Sequence, residues 1–242
     1  MTLLLLAGTF EARQVARGLA ERGVTAIASL AGETRTPEAL AIPTRIGGFG
    51  GREGFETFLE RENITAILDA THPFAAKISH RTAQVARDRG LPYCQFLRPA
   101  WEVGPGDDWR HVADEAEAAS LIPAGSRVFL ATGRKSLDRF AQLSDCDVTL
   151  RVVDPQPGPF PLPKGRYLVA RPPYRLEDER ALLAELSVDF VVAKNAGGTG
   201  SYAKLLASRE LGIPVLMIDR PPQPDGPKVA MVDEALNWVD NL

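Results

Sequence analysis

The sequence has 242 residues, 45% of them hydrophobic, which is enough for one large or two small domains with a sizeable core. Its 28 basic and 31 acidic residues give a net charge of −3. This balance argues against nucleic acid as the main partner, because phosphate binding normally needs a basic excess. Cys94 and Cys146 form neither a CxxC pair nor a metal spacing, so we predict no metal site and a cytoplasmic protein.

Strands and helices alternate along the first 98 residues. The first apolar run, LLLLA, is too short to span a bilayer and lacks the flanks of a signal sequence, so we interpret it as a buried strand and expect no membrane association. The predicted strands are Leu3–Ala7, Val24–Leu30, Thr44–Gly48, Asn63–Leu68 and Leu91–Leu97. The predicted helices are Phe10–Arg22, Glu53–Glu62 and Phe74–Arg89. This alternation predicts a parallel sheet with right-handed crossovers.

The pattern pauses at Arg98–Val112, which is rich in Pro, Gly and Trp, and we place a domain boundary there. A second series follows. Its predicted strands are Ser126–Ala131, Cys146–Val153, Arg166–Ala170, Val188–Lys194, Ile213–Asp219 and Lys228–Val232. Its predicted helices are Asp114–Leu121, Lys135–Leu143, Leu176–Leu186, Tyr202–Leu211 and Asp233–Trp238. The expected architecture is α/β with two domains, residues 1–98 and 99–242, mainly parallel sheets and a ligand cleft between the domains.

The first strand ends in AGTFEA, a candidate phosphate-binding turn. Gly8 permits a tight turn, and Thr9 can cap the next helix, whose N-terminal amides favour an anion. The full GxGxxG pattern is absent, so an ordinary strand–helix turn is the alternative. After the second strand, Ser29 and Arg35 offer a hydroxyl and a cation that suit a ribose 2′-phosphate, although Glu33 and a solvated loop leave that assignment open.

The fourth strand ends in DATHPFA, where Pro73 fits the first turn of the following helix. Thr71 or His72 should then lie at the mouth of that helix. A lone histidine is more often structural than catalytic, but this backbone presents His72 and Phe74 in a way that suits the rim of a pocket.

Two later turns combine cations with glycines. The stretch KNAGGTGSYAK begins with Lys194 and Asn195 at a strand end, and its three glycines run into a helix with Thr199 and Ser201 as expected caps. In TGRK, Arg134 and Lys135 stand at a helix start, where the helix dipole disfavours cations unless an anionic ligand is bound. For the stretch KNAGGTGSYAK, a flexible loop is the alternative interpretation.

Taken in order, GTFEA, SLAG, DATHPFA, TGRK, KNAGGTG and IPVLMIDRP resemble the precorrin-6A reductase family of cobalamin biosynthesis. The resemblance runs from residue 8 to residue 221. It implies two Rossmann-like domains, NADPH as cofactor, and reduction of precorrin-6A to precorrin-6B by hydride delivery to carbon 19. SLAG is closer to the oxygen-dependent branch of the family than to the cobalt-first branch. Ala196 stands where the family often has serine, so no hydroxyl contact is assigned there.

The resemblance and the residues together give a candidate site. NADPH is expected on the first domain and the tetrapyrrole on the second, with neighbouring corrin-pathway enzymes as further candidate partners. The expected cofactor-binding residues are Gly8, Thr9, Phe10, Glu11, Ser29, Arg35 and Thr71. The expected substrate-binding residues are His72, Phe74, Arg134, Lys135, Lys194, Asn195, Gly197, Gly198, Thr199, Gly200, Lys204 and Arg220. Further candidate cations are Arg98, Arg171 and Arg175, and Trp101 is a further candidate for the ring.

Little catalysis by side chains is expected, since a conjugated imine accepts hydride and the nicotinamide donates it. A proton must also be supplied, and His72, Lys194, Tyr202 and solvent are the candidates. Two other functions stay open on the residues alone. One is an NAD(P)-dependent reductase of a small carbonyl or imine, which would not need so many cations. The other is a dinucleotide-sensing module without catalysis, which would not explain TGRK or the KN-glycine loop.

Overall fold

The computed structural model describes residues 1–32 and 38–242, which fold into two compact units. Unit 1 comprises Met1–Pro99 and Pro221–Leu242, and unit 2 comprises Ala100–Arg220. Each unit contains its own six-stranded sheet, and every strand pairing found in the described ranges is parallel. The predicted α/β fold class with two Rossmann-like units is therefore confirmed.

The elements in chain order are as follows. The strands are β1 (Leu3–Leu6), β2 (Ala26–Leu30), β3 (Thr44–Ile46), β4 (Ala66–Asp69), β5 (Tyr93–Phe96), β6 (Trp109–Val112), β7 (Arg127–Ala131), β8 (Asp147–Val152), β9 (Gly165–Val169), β10 (Phe190–Lys194), β11 (Val215–Ile218) and β12 (Lys228–Val229). The helices are α1 (Phe10–Glu21), α2 (Arg52–Arg61), α3 (Ala76–Asp88), α4 (Glu115–Ser120), the 3₁₀ helix Arg134–Leu143, α5 (Leu176–Glu185), α6 (Ala203–Leu211) and α7 (Val232–Asp240).

The two sheets share one strand order. In unit 1 it is β3-β2-β1-β4-β5-β12, and in unit 2 it is β9-β8-β7-β10-β11-β6. In unit 1 this is the 3-2-1-4-5-6 order of the dinucleotide-binding fold, and unit 2 has the same arrangement except that its outermost strand, β6, precedes the other five in the chain. In this fold, ligands bind where the order reverses, outside the carboxyl ends of the two central strands. The reversal lies between β1 and β4 in unit 1 and between β7 and β10 in unit 2.

The central strands are buried, as their apolar sequences predict. All four residues of β1 are at most 1% exposed, and those of β4 are equally inaccessible. Strands covered on both faces by helices are typically near-continuous apolar runs, so the leucine run of β1 suits the centre of such a sheet. These rigid strands fix the positions of the turns at their carboxyl ends.

The sixth strand of each sheet comes from an unexpected part of the chain. The prediction assigned all of 99–242 to the second domain, but β12 pairs with β5 and α7 packs on α1, so residues 221–242 belong to unit 1. In unit 2 the sixth strand is β6, which precedes the other five. It lies in the segment that the prediction left without regular structure, because Arg110 and His111 are exposed and give no strand pattern. The segment is identified as a strand by its parallel pairing with β11.

No helix in the described portion of the chain is both long enough and apolar enough to cross a membrane.

Candidate active site

At the reversal point of unit 1, Thr9 joins the start of α1 to the end of β4. Its Oγ1 accepts a hydrogen bond from the Ala12 amide at 3.1 Å and donates to the Ala70 carbonyl at 3.0 Å. The expected helix cap is present. Because both bonds use the hydroxyl, the backbone of this turn is what remains for a ligand.

Gly8 leaves open space in front of α1. Its φ of +138° is a conformation that side chains disfavour, and a Cβ built there meets no atom within 4 Å. The first amides of a helix have no partner inside the helix, so Phe10 and Glu11 present donors at the same end. This donor set fits the diphosphate of a dinucleotide, although only one glycine stands where the usual fingerprint has three.

The two side chains that open α1 differ in environment. Phe10 is 50% exposed. Glu11 forms an ion pair with Arg98 at 2.5 Å, and both side chains are mostly buried. Glu11 and Arg98 line a shallow depression together with Thr9, Thr71, Pro73 and Phe96. The pairing offsets a carboxylate charge that would otherwise oppose an anion at this helix end.

In DATHPFA, the buried Asp69 organises the turn that follows β4. Its Oδ1 accepts from the Thr71 amide at 3.0 Å and the Thr71 hydroxyl at 2.7 Å, and its Oδ2 accepts from the Tyr93 hydroxyl at 3.0 Å. Burial, followed by the charge of Asp69, raises the pKa of Tyr93. Asp69 and Tyr93 were not among the predicted site residues, and Thr71, which was, is held by both of these hydrogen bonds to Asp69.

His72 is exposed, and its Nδ1 accepts a hydrogen bond from the Phe74 amide at 3.2 Å. That bond places any proton of a neutral ring on Nε2. The two rings lie 5.8 Å apart. The expectation that Pro73 occupies the first turn of a helix is wrong, because α3 begins at Ala76 and a turn closed by the Ala75 amide and the His72 carbonyl precedes it. The roles of His72 and Phe74 toward ligands stay predictions.

Ser29, at the end of β2, is 5% exposed, and its hydroxyl accepts from Arg45 Nη1 at 2.7 Å. Arg35, the cation predicted there, lies outside the described residues. Arg45 was missed because nothing local in the sequence shows that β3 lies beside β2.

The reversal point of unit 2 contains the TGRK turn. Gly133 has a φ of +80° and open space where a Cβ would stand, and Ser136 Oγ donates to its carbonyl at 3.0 Å. Thr132 Oγ1 is buried and has no hydrogen-bond partner among the residues that the structure describes. Arg134 and Lys135 are exposed, and Arg134 donates to Gln156 at 2.8 Å. The turn thus combines an open backbone, an unused hydroxyl and two accessible cations, which suits a carboxylate.

Lys194, at the end of β10, is ion-paired. Its Nζ lies 3.0 Å from Glu115 Oε1, while Arg139 Nη1 lies 3.0 Å from Oε2 of the same carboxylate. Burial alone would raise the pKa of Glu115, but the hydrogen bond and charge of Lys194, with the charge of Arg139, bring it below its usual value. Lys194 therefore lies at the reversal point of unit 2 as one member of a charged group that also contains Glu115 and Arg139.

Asn195 and Lys204, both predicted to bind substrate, have side chains that make contacts within unit 2, and their roles toward a ligand stay predictions. The Asn195 side chain is buried and bonds both the amide and the carbonyl of Trp101, at 2.8 and 2.9 Å. Lys204 is 4% exposed, and its Nζ donates to the Ser201 carbonyl at 2.6 Å and lies 4.9 Å from the Trp101 ring centre. Burial, with the nearby charge of Arg151, lowers the pKa of Lys204 to about 7.

The KN-glycine loop is held by its neighbours. Gly197 and Gly198 have φ values of +69° and +73°, and the Gly198 carbonyl accepts from Trp101 Nε1 at 2.7 Å. The expected caps Thr199 and Ser201 are wrong, because α6 begins at Ala203 with no side-chain cap. The Tyr202 ring lies 5.9 Å from that of Trp101.

Arg220 Nε donates to the Asn195 carbonyl at 2.7 Å. Two further candidate cations of unit 2 have carboxylate partners: Arg171 pairs with Asp154, and Arg175 lies 3.7 Å from Glu177. Unit 2 also contains a buried pair that was not predicted, between Arg151 and Glu179, joined by two hydrogen bonds of 2.6 and 2.9 Å. In residues 1–32 and 38–242, no group of three or more His, Cys, Asp or Glu side chains is placed to hold a metal.

Comparison with known proteins places this geometry in a family. A family model described as precorrin-6x reductase CbiJ/CobK matches residues 2–240. Precorrin-6A reductase from Rhodobacter capsulatus is 44% identical over 238 residues, covering 98% of this chain and 95% of that protein. Precorrin-6A reductase from Rhodococcus erythropolis is 45% identical over 245 residues, covering 99% and 98%.

A solved structure titled CobK precorrin-6A reductase is 43% identical and superposes with a TM-score of 0.96, covering 100% of this chain and 96% of that one. The order of the strands, the glycine turns at both reversal points and these full-length matches agree, so the chain belongs to the precorrin-6x reductase CbiJ/CobK family.

Proposed function

We propose that this protein reduces precorrin-6A to precorrin-6B in cobalamin biosynthesis, by hydride transfer from NADPH to carbon 19 of the macrocycle. The observation that carries the proposal is the pair of open glycine turns, at Gly8 and Gly133, at the reversal points of two dinucleotide-type sheets in a chain of this family. Relatives 44% and 45% identical are named for the metal-free substrate, which supports precorrin-6A itself rather than its cobalt form.

Unit 1 is proposed to hold the nicotinamide cofactor. The diphosphate would lie against Gly8 and the first amides of α1, in front of Thr9 and the Glu11–Arg98 pair. Thr71, fixed by Asp69, would line the same edge. When bound, the cofactor supplies the hydride, and the protein's task is to fix its position and exclude water.

Unit 2 is proposed to hold the carboxylates of the substrate. The macrocycle carries many carboxylates, and charge-assisted hydrogen bonds are the strong contacts available to them. The exposed cations of the TGRK turn, Arg134 and Lys135, meet that need, and the buried Thr132 hydroxyl beneath them has no hydrogen-bond partner among the described residues. The backbone of Gly197, Gly198 and Gly200 would add amide donors without a side-chain obstacle.

The chain's own contribution is mainly orientation. Well-oriented reactants can lower a barrier by roughly 7–11 kcal/mol. His72 and Tyr202 are proposed to act at the macrocycle, by contact or by supplying the proton, while Lys194 would act through the charge that it shares with Glu115. Solvent is the competing proton source.

The test is to mix the purified protein with NADPH and precorrin-6A and to follow NADPH oxidation together with the visible spectrum of the macrocycle. We expect both signals to change with equal stoichiometry. Cobalt-precorrin-6A and a panel of small carbonyl and imine compounds are the comparison substrates. Oxidation of NADPH only with the panel would favour a small-substrate reductase, and binding of NADPH without oxidation would favour a sensing module.

A further inference from the structure

Arg45 lies beside the position where a dinucleotide-binding unit meets the adenosine ribose. In the parallel pairing of β2 with β3, Arg45 is the register partner of Ser29. Its Nη1 donates to Ser29 Oγ at 2.7 Å and to the Gly47 carbonyl at 2.8 Å, and its Nη2 donates to the Gly48 carbonyl at 3.0 Å. The guanidinium is therefore fixed at the carboxyl end of β2.

The surroundings of Arg45 are aromatic rather than acidic. Its guanidinium carbon lies 4.2 Å from the ring centre of Phe49 and 5.3 Å from that of Phe58. Burial, with the positive charge of Arg61, lowers the pKa of Arg45. Cation–π contacts of this kind hold the guanidinium in place without neutralising its charge, so an arginine held there is suited to an anion that arrives from outside.

No carboxylate pairs with Arg45 among residues 1–32 and 38–242. Two other arginines of unit 1 do have carboxylate partners: Arg52 lies 2.5 Å from Asp88, and Arg89 lies 2.8 Å from Glu60. Three hydrogen bonds use three of the five N–H donors of Arg45, which leaves two donors for a ligand. A guanidinium with paired donors matches phosphate geometry better than an ammonium does.

We propose that Arg45 recognises the 2′-phosphate of the cofactor and thereby sets the preference for NADPH over NADH. The inference rests on the proposed function and refines its cofactor site. In a unit of this strand order, a diphosphate at the end of β1 directs the adenosine ribose toward the end of β2. Ser29 and Arg45 are the hydroxyl and the cation that the structure places there. The 2′-phosphate is the only group by which NADPH differs from NADH.

The test measures binding without turnover. Isothermal titration compares 2′,5′-ADP with 5′-AMP, and NADP⁺ with NAD⁺, on the wild-type protein, Arg45→Met, Arg45→Lys and Arg61→Gln. Arg61 lies 5.5 Å from the Phe58 ring centre, so its substitution removes a neighbouring charge without touching Ser29. We expect Arg45→Met to weaken the two 2′-phosphate ligands by about 10- to 100-fold. Arg45→Lys should lose part of this affinity, while 5′-AMP and NAD⁺ should bind all variants alike.

The outcomes separate the inference from the proposed function. A wild-type preference for NADP⁺ that survives in Arg45→Met overturns the inference and leaves the proposed function intact. Equal binding of NADP⁺ and NAD⁺ by the wild type overturns both the NADPH assignment and the inference. Equal weakening by Arg61→Gln would show a general charge effect and also overturn the role of Arg45.

A second measurement avoids substitution, because Arg45 also holds the carbonyls of Gly47 and Gly48 and its removal can disturb the fold. Wild-type protein is treated with phenylglyoxal, and the modification of each arginine is followed by peptide mass spectrometry. We expect 2′,5′-ADP to protect Arg45 several-fold more than 5′-AMP does. Equal protection by both nucleotides, or none by either, would overturn the proposal.

Discussion

Asn195 holds Trp101 by both ends of its side-chain amide, with the Trp101 amide 2.8 Å from Oδ1 and the Trp101 carbonyl 2.9 Å from Nδ2. The end of β10 is thereby fastened to the first residues of unit 2. Through Trp101 Nε1, the same contact reaches the Gly198 carbonyl in the glycine loop. A residue predicted to bind substrate thus helps to set the shape of the loop.

Replacing Asn195 with alanine should destabilise unit 2 by about 2–3 kcal/mol, because two buried backbone groups of Trp101 lose their partners. Urea unfolding followed by tryptophan fluorescence measures the change. Asn237→Ala, at an exposed position of α7, is the control. An Asn195→Ala protein as stable as that control would contradict the structural role.

Replacing Lys204 with methionine should make stability less dependent on pH. The pKa of Lys204 is lowered from 10.5 to about 7 in the folded protein, so between these values the unfolded chain binds more protons and wild-type stability rises with pH. The slope from this group is up to about 1.4 kcal/mol per pH unit. The variant should be more stable than the wild type below pH 7, and this advantage should shrink toward pH 10.5.

Thermal unfolding between pH 6 and pH 10 checks the Lys204 prediction. Lys77→Met, at an exposed lysine of α3, provides a matched loss of one lysine. The prediction fails if Lys204→Met and the wild type show the same dependence on pH.

Replacing Gly8 with alanine should weaken cofactor binding by about 10- to 100-fold, because a displaced backbone misplaces the diphosphate. A residue with a Cβ at a φ of +138° costs about 1–3 kcal/mol of strain. Gly23→Ala is the matched control, since Gly23 has a φ of +64° and open space around it but lies at the other end of α1. Titration with NADP⁺ measures the loss of binding, and thermal unfolding measures the loss of stability. Equal loss of binding in Gly8→Ala and Gly23→Ala would refute the assignment of the diphosphate to the turn at Gly8.

Replacing His72 with alanine should slow turnover by less than about tenfold. A general acid contributes typically about 10²- to 10⁴-fold, so a smaller loss identifies His72 as a positioning group. Single-turnover rates with precorrin-6A across pH 5.5–8.5 measure both the loss and any missing limb of the pH profile. Complete loss of activity in a folded His72→Ala protein would instead make His72 the obligatory proton donor.

Features that depend only on residues close together in the sequence could be predicted from local patterns. The leucine run of β1, the tight turn at Gly8 and the cap at Thr9 all follow from residues within one turn of each other, and the structure contains all three. The alternation of strands and helices then predicted both parallel sheets.

Features made by distant residues could not be predicted in the same way. Ser29 and Arg45 meet only because β3 pairs with β2, and Arg35 drew attention by lying closer in sequence. Lys194 and Lys204 both looked like cations for a ligand, since sequence does not show which way a side chain points. One pairs with Glu115 and the other is buried beside Trp101. The expected ligand cleft between the two halves remains a prediction.

The return of residues 221–242 to unit 1 has a consequence for biosynthesis of the chain. Residues 1–99 leave the ribosome before unit 2, yet β12 and α7, which complete their unit, emerge only after unit 2 has been made. Unit 2 has all of its strands once Ile218 has been made, so it can close earlier. Until β12 and α7 have been made, the nascent first half exposes the outer edge of β5 and the face of α1 that Leu236 covers, and an unpaired strand edge of this kind can pair with another chain.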